Sequence, residues 1–155
     1  MASELKGLEL IEAKLEIERL NADFCFHLDH DNVDLLIDLF TEDACYSHGD
    51  RLSVGREKIR SLFSQRLNEN ARTARHMYSG LRLELSSANK ATGTSVCMTF
   101  AKNAMPPVTP AVPYLVADFI DEYERSDDRH WRISKRHIER IFVDPNNEGP
   151  IGHQT

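Results

Sequence analysis

The 155-residue chain contains no long apolar run. Nothing in it approaches the roughly 18–20 consecutive apolar residues a membrane-spanning helix needs. The opening MASELKGLELIEAKLEIERL is charged throughout and has no apolar segment of the signal-peptide kind. Cysteine is scarce: Cys25, Cys45 and Cys97 are odd in number, lie among apolar neighbours and form no C-x-x-C pair. They read as buried reduced thiols in a cytoplasmic protein. No block of Lys or Arg stands out, and the net charge of −6 argues against nucleic acid as a partner. Neither G-x-G-x-x-G, a Walker sequence nor G-x-S-x-G occurs, so nucleotide cofactors and serine-hydrolase chemistry have no support. No H-x-x-x-H or H-E-x-x-H pair puts two histidines on one helical face, so no metal is expected despite His27, Asp29, His30, Asp31 and His48. Internal repeats and linkers are also missing.

What is present is an ordinary globular composition, with 41% apolar and 28% charged residues. Its length suits one domain, taken as residues 1–143. The tail DPNNEGPIGHQT, residues 144–155, has loop composition and reads as flexible. The first half is helical in pattern. Leu8, Leu15, Ala22 and Asp29 recur every seven residues, flanked by Ile11, Cys25 and Phe26, as one face of a long helix. NVDLLIDLF gives a second, short helix capped by Asn32. TEDACYSH follows as a strand, with Cys45 on one side and Tyr46 and His48 on the other. Residues 55–70 place Ile59, Leu62, Phe63 and Leu67 at helical spacing.

The second half alternates as strands: HMYSGLRLELSS, TGTSVCMTFAKNA, YLVADFIDEYERS and HWRISKRHIERIFV. Between them lies MPPVTPAVP, whose prolines cannot pair in a central strand. Both alternating sets of YLVADFI are largely apolar, which implies burial on both faces, by a core on one side and by helices or another subunit on the other. Helices first and an antiparallel meander afterwards make an α+β domain. A strongly curved, mainly antiparallel sheet wrapped over helices leaves a conical cavity, and such cavities are apolar with a few placed polar groups.

Asp29 does not fit a packing account. A buried carboxylate must be paired or neutral, unless the helix end holds its head in water. Candidate partners are His76 at the start of a long strand, His48 at the end of the first, and Arg136, which shares strand parity with Ile138 and Phe142. His137 has the opposite parity. Parity places His76 with Arg82 and Glu84, away from the core, unless a bulge at Gly80 switches faces.

These residues together resemble a family. FHLDHDNVDLLIDLFTEDACYSHGDRLSVGREKIRSLF is similar to the opening of SnoaL-like proteins in the nuclear transport factor 2-like superfamily, an NTF2-like cone. RHMYSGLRLELSSANKATG and FIDEYERSDDRHWRISKR resemble the group of scytalone dehydratase and the hexachlorocyclohexane dehydrochlorinase. The resemblance implies that Asp29 and His76 are hydrogen-bonded, with Asp29 orienting the imidazole and His76 acting as general base. It thereby implies that His76 points inward. Arg136 matches a pocket arginine of the dehydrochlorinase, where it stabilises a departing anion or anchors substrate. His48 matches a water-binding tyrosine of scytalone dehydratase. Phe24 stands where the dehydrochlorinase has a lysine, and Leu28 where scytalone dehydratase has a tyrosine. The second catalytic histidine of scytalone dehydratase falls near Ala101, where this chain has none. Neither substrate therefore carries over.

The resemblance implies a cofactor-independent lyase acting on a small apolar aromatic or alicyclic molecule. His76 removes a proton, and a leaving group departs with help from Arg136, His48 or Tyr46. Loss of water is the first reading, and carbon–carbon cleavage with loss of formaldehyde uses the same parts. Two other readings stand beside it: a non-catalytic binding module or accessory subunit, and an isomerase of the ketosteroid type. Relatives are trimers, so a homotrimer is expected.

Overall fold

The computed structural model describes residues 7–65 and 71–146. Helices α1 (Gly7–Asp29) and α2 (Val33–Ile37) come first. Strands β1 (Phe40–His48) and β2 (Arg51–Val54), helix α3 (Arg56–Ser64), and strands β3 (Thr73–Ser87), β4 (Lys90–Lys102), β5 (Leu115–Arg125) and β6 (Trp131–Val143) follow. The strands form one curled six-stranded sheet in the order β2-β1-β6-β5-β4-β3. Every pairing is antiparallel except β1 with β6. The helices pack against its concave side, α1 chiefly on β3 and β6 and α3 on β1 and β2. This is the α+β, NTF2-like cone that the sequence pattern and resemblance imply. Leu67, in the expected 55–70 helix, and tail residues 147–155 lie outside the described residues.

The buried side of α1 differs from the sequence expectation. Leu8, Ile11, Leu15 and Phe26 are 70, 56, 64 and 54% exposed, and Ala22 is exposed as well. The face that packs is Ala13, Ile17, Leu20, Asn21, Phe24, Cys25 and Leu28. A seven-residue repeat drifts by about 20° per heptad on a straight helix, so an exact heptad is a poor guide to one face over three heptads. Asp29 is buried for another reason: it stands four residues after buried Cys25, one turn along the same side.

Gly80 sets the geometry of β3. Its φ is +72°, which glycine adopts at little cost, and the β3–β4 register shifts between Ser79 and Arg82. Before the bulge the inward residues are Ala74, His76 and Tyr78; after it they are Leu81, Leu83 and Leu85. One extra residue thus lets a polar half and an apolar half of one strand face the same interior.

Inside the cone lies a fully buried charge. Arg136 on β6 stands opposite Asp121 on β5 and Tyr46 on β1 in register, and is 0% exposed. Its Nε donates to Asp121 Oδ1 at 2.9 Å and its Nη2 to Asp121 Oδ2 at 2.8 Å. Nη2 also donates to Asn21 Oδ1 on α1. Asn21 Nδ2 donates in turn to Tyr123 Oη at 2.9 Å, and that hydroxyl donates to Asp121 Oδ2 at 2.7 Å. The guanidinium lies 4.3 Å from the ring centroids of both Phe24 and Phe119. Burial alone would lower its pKa, but Asp121 raises it above the usual arginine value by charge and hydrogen bonding, so the ion pair persists. Such a pair is strongly destabilised when one partner goes, because the other charge is stranded. Asp121→Ala is expected to lose about 3–5 kcal/mol of unfolding free energy in a urea titration. Glu124→Gln, which breaks the exposed Lys90–Glu124 pair, should change it by less than about 1 kcal/mol.

Candidate active site

The curl of the sheet leaves a cavity between α1, α3 and the concave face, about 80 Å³ in size, room for several waters. Its walls are mainly apolar: Phe24 and Leu28 from α1, Leu62 and Phe63 from α3, and Leu115, Phe119 and Ile138 from the sheet. Edge-to-face contacts of Phe24 with Phe40, Phe63 and Phe119, at 6.1, 6.3 and 6.0 Å between centroids, fix the floor. The polar groups on the lining are Tyr46 and His48 of β1, Arg51 and Ser53 of β2, Gln65, Arg72, His76, Thr99 and Tyr114.

Asp29 ends α1, where Asp31 turns left-handed with φ +57° and Asn32 N donates back to His27 O at 3.0 Å. A carboxylate at a helix C-terminus meets the negative end of the helix dipole, and the side chain of Asp29 is only 5% exposed. Two donors from one residue offset this. The backbone N of His76 donates to Asp29 Oδ2 at 2.8 Å, and the ring Nδ1 lies 2.6 Å from Asp29 Oδ1. An ionised carboxylate only accepts, so Nδ1 carries the proton in the neutral ring and Nε2 carries the lone pair. The imidazole is 12% exposed and lines the cavity. This is the arrangement of an oriented general base.

The remaining residues singled out in the sequence separate into two groups. Phe24, Leu28, Tyr46 and His48 line the same cavity as His76. Arg136 does not. It sits behind Phe24 and Phe119, bound by Asp121 and Asn21, because register sets it opposite an acidic partner. The expectation that it touches a departing anion is therefore replaced by a role holding the floor. His137 lies on the outer face, with Ser47 Oγ 2.8 Å from Nδ1 and Glu139 Oε2 3.0 Å from Nε2. Tyr78 turns to α1 and donates to Glu18; burial first, and then Glu18, raises its pKa. Among the described residues no three His, Cys, Asp or Glu side chains gather as metal ligands would.

Sequence reasoning missed Arg51, Arg72, Thr99 and the cavity side of Cys97. Arg72 had a signal: it shares strand parity with Ala74 and His76. Thr99 is the register partner of His76. Cys97 meets Cys25 across the α1–β4 contact; the hydrogen bond from Cys25, then burial, raises the Cys25 pKa, whereas Cys97, which accepts it, is lowered.

The SnoaL-like domain family matches residues 9–137. Nothing among curated proteins matches the chain. Among solved structures, a scytalone dehydratase-like protein of Novosphingobium aromaticivorans superposes with a TM-score of 0.79 at 20% identity, covering 97% of this chain and 100% of that one. LinA superposes at 0.75 with 24% identity, covering 92% and 97%. A protein of unknown function with a cystatin-like fold from Nostoc punctiforme superposes at 0.72 with 26% identity, covering 93% and 97%.

The tautomer is directly measurable. Long-range proton–nitrogen NMR of the ring should place the proton of neutral His76 on Nδ1 in the wild type and shift it toward Nε2 in Asp29→Ala. A wild-type ring protonated at Nε2 would contradict the geometry.

Proposed function

We propose a lyase function for this chain, which belongs to the SnoaL-like domain family. The reaction is elimination from a small substrate with an aromatic or alicyclic body, catalysed by His76 and Asp29 without a cofactor. The observation that carries this reading is the 2.6 Å contact between His76 and Asp29 on the wall of a cavity that also carries Tyr46 and His48 among aromatic and aliphatic side chains. The dehydratase-like and LinA neighbours, the latter a hexachlorocyclohexane dehydrochlorinase, support the same class through their shared architecture.

Elimination of water is redox-neutral and needs a base, an acid and a dry site. His76 Nε2 takes a proton from carbon, and the released electron pair forms the double bond. The carbon–oxygen bond breaks, and the leaving hydroxyl takes a proton from His48 or Tyr46, so that water departs. Asp29 stabilises the imidazolium formed in between. General acid–base help of this kind gives about 10²–10⁴-fold; the apolar walls add positioning and a low dielectric in which fixed dipoles act strongly. Loss of formaldehyde, with cleavage of a carbon–carbon bond, would employ the same base. The three free cysteines suit a reducing cytoplasm.

The chain is also proposed to work as a homotrimer. Among the described residues no helix covers the outer face of β5, and the register brings Met77, Met98, Val116 and Phe142 into one apolar row across four strands. Met77 and Phe142 are 61 and 69% exposed, and faces of this kind mark association sites.

His76→Gln is expected to lower turnover at least about 100-fold on a panel of aromatic and alicyclic alcohols, with product mass lower by one water. Product of unchanged mass would indicate isomerisation, and ligand binding without turnover in either protein would indicate a binding module. Light scattering should give the mass of three chains, and Phe142→Glu should give one.

A further inference from the structure

We infer that the substrate is an acid, an aryl or alicyclic carboxylate whose charge is held at the cavity mouth by Arg51 and Arg72. The inference rests on the proposed lyase site and names the substrate class it takes. The chain as a whole is acidic, with 25 Asp and Glu against 19 Lys and Arg. The cavity reverses that sign. Its charged and basic lining residues are Arg51, Arg72, His48 and His76, and no Asp or Glu lines it among the described residues. Asp29 is behind His76, its two oxygens committed to that residue.

The two arginines reach the cavity from opposite borders of the sheet. Arg51 begins β2, one edge strand, and Arg72 immediately precedes β3, the other. Only the curl of the sheet lets both line one cavity. Each has a structural setting suited to an anion. Arg51 is exposed, and no described carboxylate lies within ion-pair distance of it. Arg72 is half-buried, and its Nη1 donates to the amide oxygen of Asn103 at 2.7 Å, which fixes the plane of the guanidinium.

A planar guanidinium fork matches the two oxygens of a carboxylate. A cleft of one sign with apolar walls also concentrates ligands of the other sign. The walls then hold the ring, the arginines hold the acid group, and the carbon between them faces His76. A neutral alcohol would use the walls alone and gain nothing from the cationic side of the lining.

The test is a binding measurement that does not depend on turnover. Calorimetric titration with benzoate and cinnamate, each against its own amide, is made on the wild type, Arg51→Gln, Arg72→Gln, the double variant and His76→Gln. The carboxylates should bind the wild type at least tenfold tighter than the amides. The preference should weaken as sodium chloride rises. Each arginine substitution should cut carboxylate affinity several-fold and the double substitution remove the preference, with amide affinity unmoved. His76→Gln should keep the preference, so that a failed base assignment is read separately from a failed anion site. Equal affinity for acid and amide, equal loss of both in the arginine variants, or no carboxylate binding up to millimolar concentration overturns the inference. Arg72→Lys controls for folding: if it binds carboxylate no better than Arg72→Gln while amide binding persists, the requirement for the planar fork stands, and full recovery with Lys reduces the site to a point charge and overturns the bidentate geometry.

Discussion

A single buried cation organises the interior of this protein. Arg136 has no exposure to water and yet remains charged, because Asp121 lies opposite it on the neighbouring strand and Asn21 reaches down from the helix. Desolvating both charges costs several kcal/mol per ion and is offset only by good geometry with the remaining atoms bonded. The sheet supplies the paired geometry through register, while Arg136 Nη1 has no hydrogen-bond partner among the described residues. The aromatic rings on either side of the guanidinium supply a further attraction. Since those rings, Phe24 and Phe119, are also the floor of the cavity, the ion pair below fixes the shape of the site above.

Two of the polar ties between helix α1 and the sheet lie about 12 Å apart along its axis. Asn21 joins it to β5 and β6, and Asp29 joins it to β3. Both are polar residues on the packed side of the helix, and both satisfy groups that burial would otherwise leave costly. The second tie also has chemical meaning. An aspartate that holds Nδ1–H of a histidine leaves Nε2 as the basic atom, and in the proposed reaction that lone pair is the one that meets substrate. The hydrogen bond that anchors the helix is also the one that, in the proposed function, orients the base.

Much of the architecture was legible because periodicity is local. The long helix, the short one after it, the first strand and the four long strands all occur where alternation or helical spacing places them, within a few residues. The short edge strand Arg51–Val54 was not recognised, since four residues carry too little pattern and three of them are exposed. The parallel pairing of β1 with β6 was also invisible, being a contact between chain segments some ninety residues apart. The heptad spacing on α1 misled, because Leu8 and Leu15 face outward while Asn21, polar by composition, faces in. At the site, Asp29 stood out as an acid where packing was expected. His76 faced inward only if Gly80 made a bulge, and a glycine in a strand is a cue that periodicity alone cannot weigh.

The sequence by itself determined the elements, their order, the α+β class and the kinds of group available, since these follow from propensity and from polar–apolar patterning along the chain. Tertiary structure alone decided which of those groups meet. It set Arg136 behind the cavity rather than in it, through cross-strand register with Asp121. It brought Arg51 and Arg72 from the two edges of the sheet to the lining of one cavity, through curl. It set His76 against Asp29, through a bulge and a helix end. Register, curl and bulge arise from hydrogen bonding and packing between distant segments, and no window of neighbouring residues contains that information.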